Sequence, residues 1–172
     1  MRDEIELMKR LEGMMTTSYD CTSGKRTVGI GFNMDAIGAR KVWDKLQILE
    51  DFDAVYNKKQ KLSEESASRL FDKTWNWCKK KAEERCAELG VDWEPMAAWH
   101  KFVLADIVYN TGSISKWSKV VKETAPGMVL IEARRRPHEL MDSRISKTAK
   151  YFGFIDTVED AVAMGLKYAK YI

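Results

Sequence analysis

Three reactive side chains fall close together near the start of the chain: the carboxyl of Glu12, the thiol of Cys21 and the hydroxyl of Thr27. They sit in the stretch LEGMMTTSYDCTSGKRTVGIGFNMD, Leu11 to Asp35. Within it, Thr27-Val28-Gly29-Ile30-Gly31-Phe32 alternates strictly. On a strand, Val28, Ile30 and Phe32 would face a core, and Thr27, Gly29 and Gly31 the opposite side. That side carries one hydroxyl and two bare backbones. Glycine weakens a strand unless something approaches closely, and a ligand is one candidate. A bulge is the plainer alternative. Glu12 ends a short helix beside this face, so a bound ligand would meet a carboxyl able to exchange a proton.

Several elements must position that stretch. Asp3 to Glu12 reads as a helix, with Ile5, Met8 and Leu11 as its apolar stripe and Gly13 as its stop. Residues 14–34 read as extended, turned at Ser23-Gly24, forming a hairpin or small sheet. After a loop, a second helix starts near Ala39 with Val42, Leu46 and Leu49 on one face. Residues 50–60 are polar and mixed, and no element is assigned there. Ser63, followed by Glu64 and Glu65, caps the longest periodic segment, 63–89, which Gly90 ends. Its apolar positions are Ala67, Leu70, Phe71, Cys78, Ala82 and Leu89, and it would span about 40 Å at the α-helical rise. Met96 to Tyr109 is hydrophobic nearly all round and reads as a buried central helix closed by Asn110-Thr111-Gly112. A short helix over Trp117–Glu123, another over 128–143 and a last over 157–172 complete the chain.

The expected fold class is α+β, mostly α: one domain over 1–172 with two lobes. A small N-terminal lobe of about 13–62 carries the hairpin, and helix 63–89 joins it to a helical lobe. That lobe comprises 90–172 plus helix 3–12. A cleft between lobes is the default place for a ligand.

The totals bound the function. The 172 residues are 45% hydrophobic and 32% charged, ordinary for a soluble globular protein. No apolar run approaches the roughly 20 residues that span a bilayer, so no membrane insertion is expected. The N-terminus lacks the apolar core of a secretory signal. A net charge of +3 favours a negatively charged partner without singling out nucleic acid, and no dense Lys/Arg stripe marks a phosphate track, so no nucleic acid is expected as partner. An anionic polymer such as a cell wall fits equally well. Three widely spaced cysteines, Cys21, Cys78 and Cys86, argue for a reducing compartment and against a disulfide framework. No CxxC occurs and there are only two histidines, so no metal and no cofactor are expected.

The Leu11–Asp35 stretch resembles the active-site region of the phage-type lysozymes. The family pattern is a Glu, eight residues, an Asp or Cys, five residues, then a Thr followed by Gly-x-Gly. Glu12, Cys21, Thr27, Gly29 and Gly31 fit it, in the version with Cys in the middle. LSEESASRLFDKTW looks like the start of the family's interlobe helix, and VLADIVYNTG is similar to its buried central helix. The resemblance implies a lysozyme-like fold and hydrolysis of the β-1,4 bond between N-acetylmuramic acid and N-acetylglucosamine in peptidoglycan. It implies catalytic Glu12, Cys21 and Thr27, and substrate contacts at Gly29, Gly31, Phe32 and Asn110. Asp20 is the alternative to Cys21, and Arg136 or Arg144 the supporting arginine. The protein so implied is a monomer that accumulates in the host cytoplasm. It reaches peptidoglycan in the periplasm through a holin-type lesion or on a virion.

Glycoside hydrolysis needs a proton donor at the leaving oxygen and, for inversion, a positioned water on the opposite ring face. Glu12 suits the donor, because the negative end of a helix dipole favours a protonated carboxyl. Thr27 suits the water. An Asp at the third position would be ionised at neutral pH, whereas an unperturbed thiol near 8.5 would not. Neighbours on an extended segment face opposite ways, so Cys21 and Asp20 cannot both point at the site. Cys21 is open to three accounts: a water-positioning thiol, a thiolate base or a nucleophile. The first is favoured, since Thr27 already serves the water.

Other classes remain beside this one. A wall-binding or phage structural module would keep the fold without activity. A lytic transglycosylase would need no water. A cysteine hydrolase would need His100 or His138 within reach of Cys21. Trp117, Tyr109, Cys78 and Cys86 read as core, His100 as a satisfied interior histidine, and Arg134–Arg136 as a solvated run.

Overall fold

The charged start and apolar middle of the first segment form α1 (Arg2–Glu12). Its buried face centres on Leu7 and Met8, while Ile5 and Leu11 are only half-buried. Gly13 closes the helix with φ +74°, its N–H donating to the Lys9 carbonyl at 2.9 Å. Glycine adopts that left-handed end without strain. The structure, a computed structural model, describes residues 2–124, 144, 147–156 and 160. The helix expected over 128–143, with Arg134, Arg135, Arg136 and His138, lies outside the described residues, as does almost all of that over 157–172. The protein is α+β, mostly helical, with a three-stranded antiparallel sheet in the order β1-β2-β3. It divides into two compact units, Met1–Asn76 and Trp77–Ile172.

In the first unit, β1 (Met15–Asp20) pairs with β2 (Arg26–Gly29), setting Tyr19 opposite Thr27 and Asp20 opposite Arg26. β2 pairs in turn with β3 (Phe32–Asn33), setting Val28 opposite Phe32. Residues 27–32 are therefore not one strand. Gly29 and Gly31 both hold positive φ, +66° and +74°, and turn the chain between two strands. Strict alternation was compatible with a strand, but these two glycines supply the backbone of a tight turn. The Asp35 carboxylate pins the returning strand, accepting from the Arg26 N–H at 2.7 Å and the Tyr56 hydroxyl at 2.9 Å.

α2 (Ala39–Lys45) is shorter than its apolar spacing predicts. It stops before Leu49, which is 93% exposed and belongs to no buried face. Residues without a clear period contain α3 (Phe52–Tyr56), whose cap Asp51 accepts from the Ala54 N–H at 2.7 Å. The Ser18 hydroxyl donates to the Val55 carbonyl at 2.7 Å and ties β1 to that helix. Trp43 centres the core, with Phe52 edge-on at 5.2 Å and Phe32 tilted at 6.2 Å.

α4 (Glu64–Glu88) runs 25 residues. The Ser63 hydroxyl caps it, accepting from the Ser66 N–H at 3.2 Å. Glu50 reinforces the cap, accepting from the Ser63 N–H and the Ser66 hydroxyl, each at 2.7 Å. Gly90, with φ +70°, follows its end. The division between the two units falls inside α4. In the second unit α5 (Ala98–Thr111) is mostly buried, ending at left-handed Gly112, and α6 (Ser118–Lys122) follows Trp117, itself buried.

Gly29 has a packing role that its place in the sequence conceals. A Cβ there would lie 3.1 Å from the Cβ of Ala67 on α4 and 3.5 Å from Leu62 Cδ2. What approaches Gly29 closely is the protein's own helix, not a sugar. Gly29→Ala is expected to lower unfolding free energy by about 2 kcal/mol, from left-handed strain plus this contact. In urea denaturation the Gly29→Ala/Ala67→Gly pair should be less unstable than the sum of its singles by about 1 kcal/mol. Strict additivity would dismiss the contact.

Candidate functional site

Glu12 is the last residue of α1, and Cys21 stands one residue past the end of β1. Thr27 is the cross-strand partner of Tyr19, and Cys21 follows two residues after Tyr19 at the start of the loop. Asp20 is exposed and ion-paired with Arg26 at 3.4 Å. Cys21 is half-buried and Thr27 is buried at 5% exposure. The phenol of Tyr19 titrates above its ordinary value, first because it is buried and then because of charge on Glu12 and Cys21. One tyrosine thus feels both groups.

The Cys21 sulfur lies 3.0 Å from the Ser23 hydroxyl oxygen. Its thiol is brought down to about 7, chiefly by the Ser23 hydroxyl; burial opposes this as the next largest effect, and weaker hydrogen bonds from the Lys25 and Ser23 backbone and from Thr27 add to the lowering. No cation is required. At neutral pH about half the sulfur is then thiolate, which removes the main objection to a thiol in a carboxylate's place. The Thr27 hydroxyl donates to the Lys25 carbonyl at 3.1 Å. Its oxygen retains lone pairs for a water hydrogen.

The other site residues divide. Phe32, expected at the substrate, is 7% exposed and packs on Trp43 in the core. It is an inward strand residue, and its ring is not presented to a sugar. Gly29 is taken by Ala67, as described above, while Gly31 is half-buried and serves the turn. Asn110 is exposed near the end of α5, its amide donating to the Asp106 carbonyl at 2.8 Å and to Asp106 Oδ1 at 3.3 Å. Arg144 is buried, its Nε donating to Asp106 Oδ2 at 2.7 Å and its Nη2 to Oδ1. Arg136 lies outside the described residues.

His100 is buried, with Nε2 2.8 Å from the Val120 carbonyl, and burial holds its pKa below the ordinary value. A ring so engaged is a structural histidine. Burial pushes Cys78 up to about 12 and Cys86 up to about 11, as inert interior thiols. The second unit also holds an apolar hollow of about 280 Å³, bordered by Met96, Trp99, His100 and Val121. Among the described residues no group of three His, Cys, Asp or Glu side chains is arranged to hold a metal ion. Among the same residues no helix is long and apolar enough to cross a membrane.

This arrangement can give a proton from Glu12, hold a water on Thr27 and present an ionisable sulfur at Cys21. In comparisons with known proteins, no family model matches the chain and no curated protein matches it.

Proposed function

We propose that the protein is a lysozyme-like muramidase that hydrolyses the β-1,4 bond between N-acetylmuramic acid and N-acetylglucosamine in peptidoglycan. The observation that carries the reading is that Tyr19, whose pKa is raised by burial and then by the charges of both Glu12 and Cys21, is paired across the hairpin with Thr27. The Glu-Cys-Thr spacing that resembles the phage-type lysozymes supports it independently. Glu12 gives its proton to the glycosidic oxygen as the C–O bond breaks. A water held on the Thr27 oxygen, beside Cys21, attacks the anomeric carbon from the opposite face. In this reading the enzyme opens a phage host's wall, reaching it through a holin-type lesion or on a virion.

Product analysis on purified peptidoglycan tests the reading. New reducing ends formed with inverted anomeric configuration are the expected result. A 1,6-anhydro end would replace the hydrolase by a transglycosylase, and binding without any cleavage would leave a wall-binding module.

A further inference from the structure

The loop between β1 and β2 is closed twice. The Gly24 N–H donates to the Cys21 carbonyl at 2.8 Å, and the Cys21 N–H donates to the Lys25 carbonyl at 2.9 Å. Gly24 holds φ +72°, which completes the turn. This backbone brings the Ser23 side chain back onto Cys21, two residues earlier, with 3.0 Å between oxygen and sulfur. Ser23 itself is exposed and packs into no core, so its turn position alone would excuse its type. While the sulfur is a thiol either group can donate; ionisation of the sulfur fixes the direction. An ionised sulfur carries no proton, so a hydroxyl bonded to it must donate. The Thr27 hydroxyl donates to the Lys25 carbonyl and bears on the sulfur only weakly, so Ser23, 3.0 Å away, is the hydroxyl with the larger hold on it.

We propose that Ser23 is a positioning residue whose hydroxyl donates to Cys21 Sγ and holds the sulfur as the base for the attacking water. This rests on the muramidase reading. The water oxygen bonds to the anomeric carbon while one of its protons passes to the sulfur. The glycosidic C–O bond breaks, and its oxygen takes the Glu12 proton. Thiol and carboxylate then exchange protons with solvent to restore the starting state. Cys21 is thus a working substitute for a carboxylate, and the depressed thiol pKa agrees with that role. Ser23 supplies by hydrogen bonding what an Asp would have carried in its own charge.

The test compares wild type, Ser23→Ala and Ser23→Thr by two readouts. The first is the pH dependence of Cys21 alkylation by iodoacetamide, followed by peptide mass spectrometry, which needs no enzyme activity. The wild-type midpoint is expected at about 7. Ser23→Ala should raise it by about one pH unit, and Ser23→Thr should restore it. The second readout is the pH profile of kcat/KM on peptidoglycan. The reaction needs Glu12 protonated and Cys21 ionised, so below the thiol midpoint Ser23→Ala should lose about tenfold. The alkaline limb of its profile should move up together with the alkylation midpoint. An unmoved alkylation midpoint in Ser23→Ala overturns the proposal. So does a shifted midpoint with an unchanged rate and profile, since Cys21 would then not be the base. A wild-type chain that cleaves nothing, yet shows both midpoints as expected, overturns the muramidase reading and leaves the Ser23–Cys21 pairing supported.

Discussion

Glu12→Gln is expected to lower kcat/KM on peptidoglycan by about a thousandfold, within the range a positioned general acid contributes. The amide keeps the size and polarity of the side chain but cannot pass a proton to the departing oxygen. Binding to insoluble wall should persist, so the loss should fall on kcat. Tyr19 offers a check that needs no substrate. Burial is the first cause of its raised pKa, and the charges on Glu12 and Cys21 add to it. Removing the Glu12 charge should lower the Tyr19 titration seen by ultraviolet absorbance. A lowered Tyr19 pKa with hydrolysis within about threefold of wild type would keep the geometry and remove Glu12 from the acid role.

The second large effect is on stability. Asp106→Ala is expected to cost about 3 kcal/mol, read as a fall in the urea midpoint at constant m value. Asp106 is the bidentate partner of Arg144, and the two side chains are only 13% and 9% exposed. Its Oδ1 also accepts from the Asn110 amide at 3.3 Å, so truncation removes that bond together with both from Arg144. Replacing both members, as Asp106→Leu with Arg144→Met, should cost less than Asp106→Ala alone, because a buried charge without its partner is worse than none. A single-variant loss under about 1 kcal/mol would mean that solvent screens the pair.

Much of this was legible because the signals are local. Ser63 before Glu64 and Glu65 announces α4, and Gly13, Gly90 and Gly112 mark helix ends through a conformation that glycine favours. The buried run of α5 follows from composition alone. Failures came where distant residues decide. Alternation over 27–32 looked like a strand, yet two glycines turn it. The empty side of Gly29 looked like room for a ligand, yet Ala67, far along the chain, fills it. For Phe32 the alternation that faces it inward holds, and the substrate contact implied by the resemblance does not, since its ring packs against Trp43. Leu49 matched a helical stripe that the backbone never reaches, since the helix ends at Lys45 and Gln47 takes φ +50°. At the site, spacing brought out Glu12, Cys21 and Thr27. It could not bring out Ser23, whose serine-glycine turn explains itself without reference to the sulfur.

The cysteine inventory carries a practical corollary. Of three free thiols, only Cys21 ionises near neutrality, while Cys78 and Cys86 are buried and stand near 12 and 11. At pH 7 this separates their thiolate populations by about four orders of magnitude or more. The natural sequence is therefore already a singly addressable molecule. A maleimide fluorophore or a nitroxide should attach at the hairpin tip without engineered substitutions. Such a probe would report wall engagement from beside the proposed water, and covalent inhibitors would have one place to land.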